Sequence, residues 1–188
     1  MRSNAELIDQ AIAAVPRAPF CDGPVPASDA VGASIGHRQR GTPPDTVRRM
    51  LLEAEVTPGQ RVLELGAGSG YATAVLAALG ADVDAVERNP ALVLRARACL
   101  ATLGLSARVH HGDARLGWPG GGPYDIVLAT VAVRTVPGPW LRQLGADGVL
   151  VVPIGPPDQR QELTVFRRDA GRLTRHGRGP ARFAGLVS

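Results

Sequence analysis

The sequence predicts an α/β fold in which a doubly wound, mostly parallel sheet ends in antiparallel strands at its C-terminal edge. Three observations support this prediction. Short apolar runs of strand length alternate with helical segments from residue 61 to residue 155, which is typical of a parallel sheet covered on both faces. The glycine-rich turn GAGSG joins the first of these strands directly to its helix. After residue 160, two segments separated by a polar turn resemble antiparallel edge strands.

The chain has 188 residues, which suits one globular domain with its own core, and we find no internal repeat or second domain. We therefore expect a single domain over residues 1–188. Within it, residues 1–45 are predicted to form an N-terminal cap of helix and loop, residues 46–155 the ligand-binding core, and residues 156–188 the C-terminal antiparallel strands.

The N-terminal cap is predicted to contain a helix followed by a long loop. Apolar residues recur at helical spacing from Leu7 to Val15. The four prolines of residues 16–29 then interrupt regular structure. The run Thr42-Pro43-Pro44-Asp45 is typical of a helix start, with Thr42 as the N-cap and an acid three residues on.

The core is predicted to alternate strands and helices, with glycines ending two of the helices. After the helix that begins near Thr42, helices are expected at residues 71–79, 90–103 and 137–144. Strands are expected at residues 61–65, 82–87, 107–112, 124–130 and 148–155, and the antiparallel edge strands at 161–168 and 178–187.

Composition and charge narrow the function classes. The formal net charge is +4, every basic side chain except histidine is arginine, and the arginines are scattered rather than clustered. Aromatic residues make up 4% of the chain, too few for stacking on bases, so we expect no nucleic-acid partner. No apolar run approaches the roughly 18 residues of a membrane span, and the N-terminus does not resemble a signal peptide. We expect a cytoplasmic monomer with no membrane partner and no metal site.

Three acidic or glycine-rich features follow successive strands and together point to S-adenosylmethionine (SAM). The first strand ends in an acid, Glu64, and a G-x-G-x-G turn, in which Tyr71 stands where a dinucleotide-binding turn would need its third glycine. Glu87 ends the second strand, where a carboxylate can accept both hydroxyls of a ribose. Asp113 follows the third strand, near the expected position of an adenine amino group. The residues predicted to bind SAM are Glu64, Gly66, Ala67, Gly68, Ser69, Gly70, Glu87, Arg88, Gly112, Asp113, Ala114 and Thr130.

Structural explanations remain open for two of these acids. Glu64 could be a strand-end acid satisfied by its neighbours, and Asp113 could be a turn residue that closes its strand.

Several spaced segments resemble the protein-L-isoaspartate O-methyltransferase family. They are AIAAVPRAPF, TPGQRVLELGAGSGYATAVLAALG, HGDARLGWPGGGPYDIVLAT, VPGPWLRQLGADGVLVVPIG, QEL and PARF. The resemblance implies a Rossmann-like methyltransferase sheet with an antiparallel edge, SAM as methyl donor and S-adenosylhomocysteine as product. It also implies a protein or peptide substrate whose isoaspartyl carboxylate is methylated, the ester then cyclising to a succinimide.

The segment IGHRQRGTPP, residues 35–44, resembles the part of the family that positions the acceptor, but it departs from the family pattern. Thr42 stands where the family has its active-site serine, so the resemblance implies that Thr42 holds the acceptor carboxylate; helix capping is the alternative role, and the two are compatible. Arginine replaces a small glycine at Arg38, a threonine at Arg40 and a proline at Arg134. The residues predicted to bind substrate are Arg38, Gln39, Arg40, Thr42, Val131 and Arg134.

These departures leave more than one function open. The added arginines are either solvated surface groups or an adaptation to a more acidic peptide. Val187 replaces a family threonine, and the chain stops one residue later. General isoaspartyl repair and the methylation of a normal aspartate in a dedicated ribosomal precursor peptide, which would give an aspartimide, both fit the pattern. A non-catalytic SAM-binding module is a third hypothesis from a different class.

Overall fold

The structure, a computed structural model, describes residues 2–156 and 159–186. The sequence-based expectations about Val187 and the chain end therefore lie outside the described residues. Among the helices that are described, none combines the length and the apolar character needed to cross a bilayer.

The described residues form five α-helices and nine strands. The helices are α1 (Asn4–Ala14), α2 (Pro44–Ala54), α3 (Tyr71–Ala78), α4 (Pro90–Thr102) and α5 (Gly138–Gln143). The strands are β1 (Ser34–Gly36), β2 (Gln39–Arg40), β3 (Arg61–Leu65), β4 (Asp82–Glu87), β5 (Arg108–His111), β6 (Tyr124–Ala129), β7 (Leu144–Ile154), β8 (Gln161–Asp169) and β9 (Arg172–Ala181).

Seven strands form the main sheet, in the order β5-β4-β3-β6-β7-β8-β9. The first five of these pair in parallel, whereas β8 and β9 pair antiparallel, which confirms the predicted fold class. The chain runs outward from β3 to β5 and then returns to place β6 on the other side of β3. This reversal of strand order creates a crevice at the carboxyl ends of β3 and β6, where ligands of open α/β sheets bind.

The two faces of the sheet are covered unequally. Helices α1 to α4 pack on one face, around a core that includes Ile8, Met50 and Leu76. The other face is covered by α5, whose Trp140 is fully buried, and by the irregular segment 112–123. Cover on both faces, as predicted, is present, but the segment between β5 and β6 supplies no α-helix.

A buried ionic network lies on this thinly covered face. Asp84 in β4 is 3% exposed and accepts two hydrogen bonds from the Arg108 guanidinium, at 2.8 and 3.2 Å. Its carboxylate also lies 2.7 Å from His110 Nε2 and 3.1 Å from the Tyr124 hydroxyl. The His110 ring in turn stacks on Trp118, with 3.8 Å between ring centroids. A carboxylate with this many partners can be buried without a large free-energy penalty.

The predicted last strand is wrong in its bounds. It was expected at residues 178–187, but β9 begins at Arg172. The reason is a tight turn in which Ala170 and Gly171 both adopt left-handed backbone conformations (φ 46° and 81°), so that β8 reverses at once into β9. Because β9 is an exposed edge strand, its sequence lacks the apolar alternation that marks a half-buried strand.

The predicted capping role of Thr42 is also wrong. Pro43 occupies the N-cap of α2, and no side chain caps this helix. Pro44 fits the first helical position because its missing N–H would be unpaired there in any case. Ahead of the helix, β1 and β2 form a small antiparallel ribbon within the stretch that was predicted to be loop.

Candidate active site

A cleft of about 1240 Å³ opens at the carboxyl ends of the parallel strands. Its lining follows the strand order: Asp113 after β5, Glu87 at the end of β4, Gly66 after β3 and Thr130 after β6. The lining continues to Leu163 in β8 and onto the β1–β2 ribbon, and a smaller cavity adjoins it beneath the glycine turn. Its volume exceeds that of an ordinary small-molecule pocket, about 300–1,000 Å³, so it can hold a cofactor together with part of a second molecule.

The outer glycines of the turn are required by the packing of the protein itself. Gly66 has a φ of 91°, and a Cβ there would lie 2.5 Å from Val131 Cγ1. Gly70 has a φ of 93°, and a Cβ there would lie 2.8 Å from the Ala96 Cβ of α4. The turn is therefore shaped by its neighbours, and its glycines alone do not identify a ligand.

Glu64 is completely buried beneath this turn and accepts a short hydrogen bond from the Thr73 hydroxyl of α3. Its other carboxylate oxygen, Oε1, has no hydrogen-bond partner among the described residues, although Glu64 lines the smaller cavity. Burial raises the pKa of Glu64 to about 7, the Thr73 hydrogen bond opposes this rise, and the negative charge of Glu87 adds to it. A buried acceptor without a donor is the state expected when a ligand supplies the missing partner.

Glu87 is held in a fixed orientation at the end of β4. Its two carboxylate oxygens accept hydrogen bonds from the backbone N–H groups of Gly68, at 2.9 Å, and Asn89, at 2.8 Å. A carboxylate has about four acceptor positions, so roughly two remain for a ligand. The position of Glu87 in the cleft lining fits the predicted contact with ribose hydroxyls.

Asp113 combines a turn role with a place in the cleft. Its side chain accepts from the Arg115 backbone N–H at 2.9 Å and forms an ion pair with the Arg115 guanidinium. The hydrogen bond from the Arg115 side chain lowers the pKa of Asp113 despite some burial. The alternative reading of Asp113 as a turn residue is thus correct, and it does not exclude a ligand contact, because Asp113 also lines the cleft.

Thr42 and Thr130 face the same space. The Thr130 hydroxyl donates within the strand-end turn, with the carbonyl oxygens of Gly66 and Leu65 at 2.7 and 3.0 Å. Thr42 lines both cavities, and its hydroxyl has no hydrogen-bond partner among the residues that the structure describes. Since the hydroxyl does not cap α2, it remains available to a molecule bound in the cleft.

The structure brings most of the predicted site residues together. From the predicted SAM set and substrate set, the following line the cleft or its adjoining cavity: Arg38, Gln39, Arg40, Thr42, Glu64, Gly66, Ala67, Gly68, Ser69, Glu87, Arg88, Asp113, Ala114, Thr130 and Val131. Three do not line either space: Gly70 and Gly112, which are part of the turns behind it, and Arg134, which is exposed outside it.

The C-terminal segment supplies a wall of the cleft that was not predicted from the sequence. Arg160, Leu163, Arg182 and Phe183 line the cleft because β8 runs antiparallel and begins at the edge where the parallel strands end. Buried Gln161 ties this wall together by accepting from the Phe183 N–H at 2.8 Å. Two sequence signals could have placed these residues at the site. One is the predicted antiparallel direction of β8, and the other is the pair of family-like segments QEL and PARF, which contain Leu163, Arg182 and Phe183.

A family model described as Protein-L-isoaspartate(D-aspartate) O-methyltransferase (PCMT) matches residues 2–188. The chain belongs to the protein-L-isoaspartate O-methyltransferase family. Two curated members of this family illustrate the similarity. The protein-L-isoaspartate O-methyltransferase of Methylorubrum populi is 42% identical over 168 residues, which cover 89% of this chain and 76% of that protein. The Gloeobacter violaceus protein of the same name is 40% identical over 187 residues, covering 98% of this chain and 91% of its own length.

Solved structures of the family agree with the fold. One protein-L-isoaspartate O-methyltransferase superimposes with a TM-score of 0.87 at 26% identity; the match covers 97% of this chain, which spans 62% of that longer chain. A Plasmodium falciparum protein-L-isoaspartate O-methyltransferase, solved in complex with S-adenosyl-L-homocysteine, has a TM-score of 0.80 at 19% identity and covers 100% of this chain and 99% of that one. At 19% identity, this second likeness shows the fold alone.

Proposed function

We propose that this protein transfers the methyl group of SAM to the side-chain carboxylate of an isoaspartyl residue in a protein or peptide, in the manner of a repair enzyme. The observation that carries the proposal is one continuous cleft, which joins Glu87 and the glycine turn to the free hydroxyl of Thr42. The family membership of the chain supports the same activity.

The residues present fit SAM. Glu87 would accept hydrogen bonds from the ribose hydroxyls, and the backbone around Gly66 together with buried Glu64 would hold the methionine part. Carboxylates at this end of the cleft favour a ligand that carries a positive charge. When bound, SAM supplies a methyl carbon that is electrophilic because it is attached to a sulfonium.

The acceptor needs positioning rather than activation. A side-chain carboxylate has a pKa near 4, so it is already ionised at neutral pH and no proton must be removed. The described residues that line the cleft include no histidine or lysine that could act as a general base. Thr42 would donate a hydrogen bond to one carboxylate oxygen and leave the other to attack. Orientation of this kind supplies as much as about 7–11 kcal/mol in well-aligned reactions.

The proposed function is tested with two peptides that differ only in one linkage. The protein is incubated with radiolabelled SAM and either an isoaspartyl peptide or its normal aspartyl twin. We expect methyl transfer to the isoaspartyl peptide alone, followed by loss of the ester as the succinimide forms. Turnover of neither peptide, or of the aspartyl peptide alone, would contradict the proposal.

Replacing Thr42 by valine is expected to slow turnover while leaving SAM affinity nearly unchanged. Removing one hydrogen bond to a charged group costs about 1.5–3 kcal/mol, which predicts a roughly ten- to hundredfold lower kcat/KM. Thr42→Ser keeps the hydroxyl and should retain most activity, and exposed Thr102→Val, on α4 outside the cleft lining, is the matched control. Equal losses in Thr42→Ser and Thr42→Val would show that the hydroxyl is not the group that matters.

The observations favour isoaspartyl methylation over the two other hypotheses, a dedicated precursor peptide as substrate and a non-catalytic SAM-binding module. The curated relatives described above carry the name of the isoaspartyl enzyme, and none of them supports a dedicated precursor peptide as the substrate. A non-catalytic module is disfavoured because Glu87 lines the cleft and because the Thr42 hydroxyl, which has no partner among the described residues, also faces it. The monomeric state, the cytoplasmic location and the lack of a nucleic-acid partner remain predictions.

A further inference from the structure

The cleft has an uneven distribution of charge. The described residues of its lining include six arginines but only two carboxylates. Both carboxylates, Glu87 and Asp113, lie at the ends of β4 and β5, beside Arg88. The other five arginines come from the ribbon, α2 and the C-terminal wall, and they are Arg38, Arg40, Arg49, Arg160 and Arg182.

Two of these arginines form hydrogen bonds that stabilise the cleft wall. The Arg40 guanidinium donates to the Gly32 carbonyl at 2.6 Å, and that of Arg49 donates to the Pro180 carbonyl at 2.7 Å. Each therefore ties together two segments that form the cleft wall. Their positive charge still contributes to the potential inside the cleft, because a carbonyl does not neutralise a guanidinium.

Arg38 has no such role. It is exposed, it lines the cleft, and it makes no hydrogen bond or ion pair within the described part of the chain. It also sits at the tip of the β1–β2 ribbon, where it and His37 adopt left-handed conformations with φ of 59° and 54°. Such a turn favours asparagine and glycine, so an arginine here is retained at a conformational cost. The backbone conformation does not explain an arginine at this position, so we attribute its presence to the long cationic side chain that it places at the cleft.

We propose that these five arginines of the cleft lining (Arg38, Arg40, Arg49, Arg160 and Arg182), here called the arginine wall, select isoaspartyl substrates that carry further acidic residues close to the methylated position. The inference rests on the proposed function and names the substrate class for the same cleft. Arg38 and Arg160 are its two probes, because both line the cleft and they come from different parts of the chain, the β1–β2 turn and the residue before β8. Flanking carboxylates of the substrate pair with these guanidinium groups, while the carboxylate-bearing strand ends face the positively charged donor.

The spacing of Arg38 and Thr42 along the chain sets how far from the isoaspartate an acidic residue of the substrate can lie and still contact the arginines. Arg38 precedes Thr42 by four residues, so their Cα atoms are at most about 14 Å apart. An extended peptide spans that distance in about four residues. Acidic residues within four positions of the isoaspartate therefore reach the arginine wall.

The test uses three isoaspartyl peptides of equal length, whose flanking positions two to four residues from the isoaspartate carry glutamate, glutamine or lysine. At low ionic strength we expect kcat/KM to be about tenfold higher for the glutamate peptide than for the glutamine peptide, and lower still for the lysine peptide. The preference should lie in KM rather than in kcat. It should fall towards unity at about 0.5 M salt, where the screening length is a few ångströms.

Variants identify the residues responsible. Arg38→Gln and Arg160→Gln should each lower the glutamate-to-glutamine ratio about two- to threefold, and Arg38→Glu should shift the preference towards the lysine peptide. Arg172→Gln is the matched control, because Arg172 is an exposed arginine that starts β9 at the opposite end of the sheet. It should leave the ratio unchanged, and thermal unfolding of each variant checks that it is folded.

The outcomes separate the inference from the function on which it rests. Turnover of all three peptides at equal kcat/KM would overturn the inference and leave the proposed function intact, whereas turnover of none would remove both. A second result would also overturn the inference. If the enzyme showed no preference among the peptides but bound a short single-stranded DNA tightly, and Arg38→Gln and Arg160→Gln weakened that binding, the arginines would be assigned to nucleic acid.

Discussion

Glu87→Ala is expected to weaken SAM binding about ten- to hundredfold, which corresponds to about 1.4–2.7 kcal/mol for lost hydrogen bonds to a charged acceptor. The loss has two parts. The ribose hydroxyls lose their acceptor, and the Gly68 N–H, which the Glu87 carboxylate holds at 2.9 Å, is released from its partner. Calorimetric titration with SAM, and with S-adenosylhomocysteine as a non-reacting ligand, measures the effect directly.

Two further variants separate ligand contact from damage to the turn. Glu87→Gln keeps one acceptor oxygen and should show an intermediate affinity. Asp147→Ala removes an acidic group at an exposed site outside the cleft lining and should leave affinity unchanged. Wild-type affinity in Glu87→Ala would remove this residue from the cofactor site.

Asp84→Ala is expected to lower the free energy of unfolding by about 2–4 kcal/mol, because it removes the acceptor shared by a buried hydroxyl and a guanidinium. Tyr124 is 1% exposed, so its hydroxyl would be left without a partner, whereas Arg108 is half exposed and can be hydrated. Urea denaturation followed by circular dichroism measures the change. Asp82→Ala is the control: it removes a half-exposed partner of the same arginine and should cost less than about 1 kcal/mol.

The same network predicts a dependence on pH. Burial alone would raise the pKa of Asp84, but the hydrogen bonds from Arg108 and His110, the charge of Arg108 and the Tyr124 hydroxyl together hold it below its ordinary value. A carboxyl whose pKa is lowered in the folded state stabilises the protein above the unfolded pKa of about 4, and this contribution is lost as the pH falls below it. Wild-type protein should therefore lose more stability than Asp84→Asn between about pH 5 and pH 2. Parallel losses in the two proteins would contradict the assignment.

The buried strands of the sheet were predicted closely from the sequence, because burial requires apolar residues and so leaves a pattern in the sequence. The strands at 61–65 and 82–87 have the predicted bounds, because each contains closely spaced apolar residues and is limited by turn residues. The ribbon of β1 and β2 was missed because five residues with mixed polarity carry no period. The start of β9 was missed because an exposed edge strand needs no apolar face.

The site residues that lie next to a local sequence motif were predicted. Those that reach the site only through pairing of distant segments were missed. Glu64 and Glu87 lie at strand ends that the glycine turn and its neighbours identify from sequence alone. Arg160 and Phe183 enter the cleft only because β8 and the segment after β9 return to the same edge of the sheet. Arg134 was expected at the site because it stands where the family has a proline after the fourth predicted strand, but it lies outside the cleft lining.

The proposed donor side of the cleft is formed by the ends of the parallel strands, whereas the proposed acceptor side is formed by the small ribbon and by residues 182–186. This last segment is joined to the sheet by backbone hydrogen bonds of Ala132 with Ala184 and Leu186, both at 2.8 Å, and by the hydrogen bonds between Gln161 and Phe183. The exposed side chains of these pieces, such as Arg38 and Arg40, can be replaced without removing a core contact, whereas Ile35 and Phe183 are buried. In the course of evolution, preference for one damaged protein over another can therefore drift by changes in a handful of surface codons, while the machinery for handling the methyl donor stays constant.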